Sequence, residues 1–333
     1  MKIKLSHKFE EIISLDNLLL AWQEFIKGKK NKPDVQVFAM DLFVNILDLH
    51  KSLVDKSYRH GNYKSFYIND PKRRHIHKAS VRDRLLHHAV YRILYPFFDK
   101  IFTADSFSCR LGKGTHKAID RFRKFAFIAS KNHIRTCWVL KIDIKQFFAS
   151  VDHKILLQIL SKYIKDKDLI WLLEQIIESF GSNKNSKMGL PLGNLTSQLF
   201  ANVYLNPFDQ WVKHDHKIKF YIRYADDMIF MSDDKQKLLY LIPLIRYFLK
   251  DNLKLKLHPN KIFIKTIASG IDFLGWLQFP KYRILRKKTE ERTFRQIKIS
   301  PNNQTLQSYL GLLSHGNTFK LEEKILNEYW LWQ

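Results

Sequence analysis

Phe220-Tyr221-Ile222-Arg223-Tyr224-Ala225-Asp226-Asp227-Met228-Ile229-Phe230-Met231 sets two apolar runs on either side of a short acidic break. Both flanks are rich in aromatic and branched residues, which suit a pleated strand, and Ala-Asp-Asp suits a turn. The stretch therefore predicts a β-hairpin. Two carboxylates at the tip of a rigid hairpin repel each other unless a cation neutralises them. Taken alone, such a turn is more often simply solvated, so the rest of the chain has to decide.

The second piece lies upstream in Leu140-Lys141-Ile142-Asp143-Ile144-Lys145-Gln146-Phe147-Phe148. The β-rich run Thr136 to Ile142 ends at Asp143, which puts a carboxylate where a ligand can reach it. On its own Asp143 is more often a turn residue or a helix N-cap. With the Asp226 hairpin on a neighbouring strand, it completes a three-carboxylate site for two magnesium ions, hard cations that prefer oxygen ligands. Two such ions can activate an attacking hydroxyl and stabilise departing pyrophosphate.

Composition narrows the classes. The 333 residues can bury a sizeable core, and 45% hydrophobic with 14% aromatic content argues against disorder. Lys and Arg outnumber Asp and Glu by 57 to 32, a formal charge of +25. That surplus implies a polyanionic partner and salt-sensitive binding. With only Cys109 and Cys137, neither a disulfide framework nor a cysteine zinc cluster is available. No stretch is apolar for long enough to span a bilayer, and Met1 to Glu11 lacks a signal-peptide core. The expectation is a cytoplasmic protein with no membrane partner.

Along the chain, residues 10–27 and 36–56 read as amphipathic helices, with Pro33 breaking any continuation between them. Phe66-Tyr67-Ile68 predicts a short strand, followed by the basic segment Lys72-Arg73-Arg74. Helices are expected over 81–99, 115–130, 152–164, 167–180 and 235–250, with another from Leu195 toward His214 that Pro207 should kink or restart. Lys261 to Ile264 and Ile271 to Trp276 predict short strands, and about 303–332 two helices. Mixed elements without regular alternation indicate an α+β fold.

Five segments occur in the order used by reverse transcriptases, which this chain resembles over about residues 60–280. They are Asp143 with Phe148, Gly189-Leu190-Pro191-Leu192-Gly193, Tyr224-Ala225-Asp226-Asp227, His258-Pro259-Asn260-Lys261 and Phe273-Leu274-Gly275-Trp276. The resemblance implies a right-hand polymerase fold: an N-terminal helical extension (1–60), fingers (61–135), a palm with part of the fingers (136–285) and a short helical thumb (286–333). It implies that Asp143, Ile144, Asp226 and Asp227 hold magnesium and that Lys261 protonates pyrophosphate. Phe148 becomes the gate under the incoming sugar, and Phe273, Leu274, Gly275 and Trp276 the primer grip. Lys72 and Arg74, with Asp83 and Arg84, fit the fingers pattern of intron-type and bacterial enzymes, so Lys72 and Arg74 are expected on the triphosphate. Ser106, Phe107 and Arg110 resemble the next block, read as fingers scaffold and template contact.

One departure is informative. Many reverse transcriptases carry Gln between the Pro and Gly of the second segment, whereas this chain has Leu192 and continues through Ser197-Gln198. Leu192 and Gln198, both placed near the incoming nucleotide, resemble enzymes of diversity-generating retroelements. Those enzymes copy a template-repeat RNA with errors at adenines and work with a small basic accessory variability protein. The implied partners are template RNA, the RNA–DNA hybrid, deoxynucleoside triphosphates and that accessory protein. An aliphatic Leu192 supplies shape without a hydrogen bond; the plainer alternative is that it packs against the palm. After residue 300 the expectation is a compact thumb, without maturase or endonuclease regions. Two rivals stay open: a retron, phage-defence or CRISPR-associated reverse transcriptase, and a non-catalytic RNA-binding module on the same fold.

Overall fold

The structure is a computed structural model, and it describes residues 3–70, 72–181 and 186–331. The chain divides into two compact units. The first comprises Met1–Ala104, Ile144–His216 and Arg246–Lys256, and the second Asp105–Asp143, Lys217–Ile245 and Leu257–Gln333.

The first unit opens with four helices, α1 (Phe9–Ile13), α2 (Leu15–Phe25), α3 (Pro33–Met40) and α4 (Leu42–Val54). Each helix expected from the sequence is thus two. Ser14 leaves the helical conformation and its Oγ accepts from Asn17 N–H at 3.2 Å, so it caps α2. Pro33 opens α3, where its missing N–H has no partner to lose. Strand β1 (Lys64–Ile68) pairs antiparallel with β2 (Arg74–Lys78). The sequence predicts no strand here, only the basic segment Lys72-Arg73-Arg74 just before it, because the Arg-His-Ile-His-Lys composition of β2 lacks the apolar alternation of a strand with one face in a core. Helix α5 (Val81–Ile101) follows, capped by Ser80, and packs against α2.

The second unit takes up the chain with α6 (Thr115–Ala129) and β3 (Trp138–Asp143). The first unit then adds α7 (Phe147–Ser150), α8 (His153–Ser161), α9 (Lys167–Glu178) and α10 (Leu195–Gln210), the last packing on α5. Helix α10 does not kink to a stop or restart at Pro207. It runs on to Gln210 and widens into a π turn over Trp211–Asp215, closed by His216 N–H to the Trp211 carbonyl at 3.0 Å. A proline removes one bond of the ladder, and the full burial of Leu205 and Phe208 holds the helix across that loss.

Strands β4 (Tyr221–Tyr224) and β5 (Asp227–Ser232) form the expected hairpin. Helix α11 (Lys235–Leu253) leads to β6 (Phe263–Thr266), two residues later than the predicted strand. The sheet order is β4-β5-β3-β6, so β3 is an inner strand; α6 packs on β4 and β5, and its Phe122, Phe125 and Ala126 share one buried cluster with Val139 of β3. A separate three-stranded sheet follows from β7 (Ile271–Phe273), β8 (Trp276–Gln278) and β9 (Arg283–Leu285). The expected single strand over Ile271 to Trp276 is instead a tight hairpin, since Leu274 and Gly275 both adopt positive φ (+52° and +88°). That is the backbone a two-residue hairpin loop requires. Three helices end the chain, α12 (Lys287–Ile299), α13 (Asn303–Leu313) and α14 (Phe319–Leu331), one more than the sequence suggested. No helix among the described residues is long and apolar enough to cross a membrane.

A histidine–aspartate cluster sits in the first unit. Asp83 accepts from Tyr58 Oη at 2.7 Å, Ser80 Oγ at 2.6 Å and Gly61 N–H at 3.1 Å. His60 Nε2 lies 3.2 Å from His87 Nε2. Burial first, then the adjacent His60, pushes His87 down to about 3, although Asp83 pulls the other way. A histidine that stays neutral in the fold but titrates normally when unfolded supports stability at neutral pH. That support is lost as pH falls below about 6.5 toward 3, with about 2 kcal/mol gone by pH 5. The fall in unfolding free energy between pH 7 and pH 5 should therefore be shallower by about that amount in His87→Gln. Parallel curves for the two proteins in denaturant titrations would remove His87 from the acid limb.

Candidate active site

The β3–β5 register sets Asp143 directly opposite Asp227, and Asp226 stands beside Asp227 in the two-residue turn. Three carboxylates thus meet at one end of the sheet. The turn is held from below. Ala225 takes φ +53°, a conformation costly for a residue with a Cβ, and the fully buried Arg223 donates from Nη1 to its carbonyl at 3.2 Å. Arg223 is in turn hydrogen-bonded through its backbone to Asp105 and Phe107.

The charges are unevenly compensated. Lys261 Nζ donates to Asp143 Oδ2 at 3.0 Å, and Lys141 Nζ stands 3.5 Å from Asp227 Oδ1. Among the described residues no lysine pairs with Asp226 itself, and the charge of Lys261 offsets only part of its surroundings. Burial, then the charges of Asp143 and Asp227, pushes its carboxyl up to about 6. Among the described residues, no three or more His, Cys, Asp or Glu side chains are set as a ready metal cage. The donor chemistry nevertheless fits a hard divalent cation: oxygen ligands only, and a local negative charge that the two ammonium groups offset in part. Asp143, Asp226 and Asp227 would hold it.

Lys141 also donates to the Asp272 carbonyl at 3.0 Å, and Asp272 pairs with Arg286 at 3.0 Å. The Phe273-Leu274-Gly275-Trp276 turn is therefore tied through β7 to the carboxylate end of the sheet. Phe273 and Trp276 are buried, while Leu274 and Gly275 at the tip are half-buried. Sequence reasoning missed Lys141 and Arg223. The signal was present, since a lysine two residues before Asp143 on a strand must share its face.

The remaining expected residues fall in the first unit, where one loop links several of them. Leu190 N–H donates to the Phe148 carbonyl at 2.7 Å, and Gly189 N–H to the Val151 carbonyl at 2.8 Å. The same loop then joins β2, with His77 N–H to the Leu192 carbonyl at 2.9 Å and Asn194 Nδ2 to the His77 carbonyl at 3.0 Å. Gly193, at φ +112°, lets this happen: a Cβ there would come within 2.9 Å of Ile76 Cγ2. Arg74 begins β2, and Phe148 and Leu192 are half-buried, so these three sit on one hydrogen-bonded assembly. Lys72 is exposed ahead of β2, Gln198 is exposed in the first turns of α10, and Ile144 is buried. Of the block's other residues, Asp83 and Arg84 are structural, the latter paired with Asp34.

Comparison with known proteins agrees with this geometry. Protein YkfC of Escherichia coli K12 is 23% identical over 79% of this chain and 77% of its own length. Group II intron-encoded protein LtrA of Lactococcus lactis is 22% identical over 83% of this chain and 55% of its own. Several relatives are much longer; the chain spans 28% of another intron-encoded protein. The telomerase of Candida albicans, solved in complex with a fragment of telomeric RNA, superposes with TM-score 0.53 and 12% identity, covering 82% of this chain and 54% of that one. The fold is thus the α+β right-hand polymerase fold. Residues 68–277 match the family described as reverse transcriptase (RNA-dependent DNA polymerase), whose domains work with divalent metal ions. These residues span the three carboxylates, the Leu192 loop and the Phe273–Trp276 turn, and the chain belongs to the reverse transcriptase family.

Proposed function

We propose that this chain is the RNA-directed DNA polymerase of a diversity-generating retroelement, making error-prone cDNA from a template-repeat RNA in the cytoplasm. The observation that carries the subtype is Leu192, held on β2 by its own carbonyl and offering the nucleotide pocket only an aliphatic side chain.

In this reading Asp143, Asp226 and Asp227 hold two magnesium ions, with the Ile144 backbone adjacent. When bound, the metal supplies the positive charge that acidifies the primer hydroxyl and offsets charge on the leaving pyrophosphate. The remaining work is done by the chain. Arg74 and Lys72 orient the triphosphate of the incoming deoxynucleotide through phosphate contacts. Phe148 excludes a ribose 2′-hydroxyl by bulk. Lys261, now on Asp143, is within reach of the carboxylate site to donate a proton as pyrophosphate leaves. The Leu274–Gly275 tip seats the primer strand, and the RNA–DNA hybrid is recognised by backbone and A-like shape. A basic accessory protein is the further partner of this reading.

The direct test is the error spectrum of cDNA made on an adenine-containing RNA. Leu192→Gln adds one hydrogen-bonding group near the nucleotide, worth about 1 kcal/mol, so misincorporation opposite adenine should drop about fivefold. An unchanged spectrum would take Leu192 out of the explanation. Relatives of this chain also include a retron reverse transcriptase, which favours a retron or defence enzyme as second reading. The neighbouring genome separates the two, because a diversity-generating element needs a near-duplicate repeat pair differing at adenines.

A further inference from the structure

We propose that a basic cleft at the end of the β7-β8-β9 sheet far from the Leu274–Gly275 tip is a binding site for single-stranded RNA. The cleft encloses about 460 Å³ and is lined by Arg123, Lys281, Tyr282, Arg283 and His315, with Asn317 at its rim.

Its place in the fold sets it apart from the catalytic end. The Leu274–Gly275 tip and Asp272 belong to the end tied to Asp227 through Lys141. Strand β8 runs away from that tip for three residues, about 10 Å, before the chain turns through 279–282 and returns as β9. Lys281 and Tyr282 are in that distal turn. Arg123 comes from α6 and His315 from the connection between α13 and α14.

The electrostatics call for an anion. Arg283 is buried, with Nε donating to the His315 carbonyl and its guanidinium 5.5 Å above the Trp276 ring. Among the described residues its acidic partner is Asp120, at 3.4 Å and itself largely exposed. Arg123 and Lys281 are exposed and make no ion pair among the described residues. His116 and His315 stack with centroids 3.7 Å apart. Burial, then His315 and Arg283, lowers the His116 pKa, and burial with Arg123 lowers that of Arg283, although Asp120 opposes both. These groups repel one another around a single long contact to an exposed carboxylate. A phosphodiester is the anion that relieves this without displacing buried atoms.

The aromatic lining selects nucleic acid over a simple anion. Tyr282 is 46% exposed and stacks on Phe279 at 4.8 Å, presenting a ring face beside the cations. Cations that track a backbone and a ring on which a base can stack together make a single-strand platform. This inference rests on the reading of the chain as a polymerase that copies RNA.

The test uses the full chain, an RNA strand of about 16 nucleotides, and a DNA strand of the same sequence, with affinity read by fluorescence anisotropy over a range of salt. In the double variant Arg123→Gln/Lys281→Gln, RNA affinity should fall about tenfold or more. The slope of log affinity against log salt should fall by about 1.4, two single-strand phosphate contacts' worth. Tyr282→Ala should weaken RNA binding without changing that slope. Both charged positions are exposed, so circular dichroism should match wild type. Unchanged affinity and slope would overturn the proposal. So would a loss seen with DNA alone, or wild-type binding of inorganic phosphate at the cleft with RNA unaffected in the variant. Primer extension by the wild-type chain is measured alongside. Its absence would sink the polymerase reading and leave the binding comparison to decide the cleft.

Discussion

Asp226→Asn should abolish primer extension on an RNA template, a loss on the order of 10³-fold or more, and at the same time make the metal-free protein more stable. Asparagine keeps the volume and the turn but carries no charge, so the divalent cation proposed for this site loses one of its three anionic ligands. The gain in stability comes from the same carboxylate. Asp226 is pushed to about 6 by burial and by Asp143 and Asp227, against an ordinary 3.8. A carboxyl that holds its proton more tightly in the fold favours folding below about pH 4, and that benefit disappears as pH rises through 6. At pH 7 the two-unit shift is at most about 3 kcal/mol; because Asp226 is half-buried, roughly 1–2 is a fair expectation. In EDTA at pH 8 the variant should melt about 2–4 °C higher than wild type, and at pH 4 the gap should close. Extension at the wild-type rate, or a lower melting temperature at pH 8, would contradict the placement of Asp226.

Gly316→Ala should destabilise the second unit by about 3 kcal/mol, through a contact that gives no sign in the sequence. Gly316 lies between α13 and α14 with its Cα against the six-membered ring of Trp276. An added Cβ would sit inside the van der Waals envelope of Trp276 Cζ3 and Cη2. The ring cannot retreat, since Trp276 is 1% exposed and has the Arg283 guanidinium over its face. Either the helical end shifts away or Trp276 moves, and moving Trp276 disturbs the Leu274–Gly275 tip. Denaturant unfolding should show the loss, and the KM for primer–template should rise with it. A variant that unfolds like wild type would mean that the two helices and Trp276 do not meet as described.

The hairpin, the inner strand ending in Asp143 and their pairing were legible because each rests on local pattern: alternating apolar residues, a turn that tolerates them, and an acidic residue where a strand stops. The order of the segments then made the polymerase fold readable. What escaped depended on neighbours remote in sequence. Strand β2 is polar, and it is recognisable as a strand only through β1 on one edge and the Leu192 loop on the other. The turn at Leu274–Gly275 looked like continuous strand because Phe273 and Trp276 have strong strand propensity, while only Gly275 hinted at the reversal. Lys141 could have been found from its two-residue spacing to Asp143, but its bond to the Asp272 carbonyl could not. Pro207 was over-weighted, since packing around Leu205 and Phe208 outweighs one missing hydrogen bond.

The division of the chain into interleaved segments bears on how it is made. The first unit needs residues 246–256 before it is complete, and the second draws on three segments, Asp105–Asp143, Lys217–Ile245 and Leu257–Gln333. On the ribosome, therefore, the first unit is complete only once Lys256 has been made, and at that point the second still lacks Leu257–Gln333. Strand β3 must wait for β5, about 90 residues of nascent chain, before Asp143 finds its place opposite Asp227. During that interval apolar strand surface is exposed to chaperones and to neighbouring nascent chains. Premature stop codons before Arg246 would leave both units short of at least one of their segments.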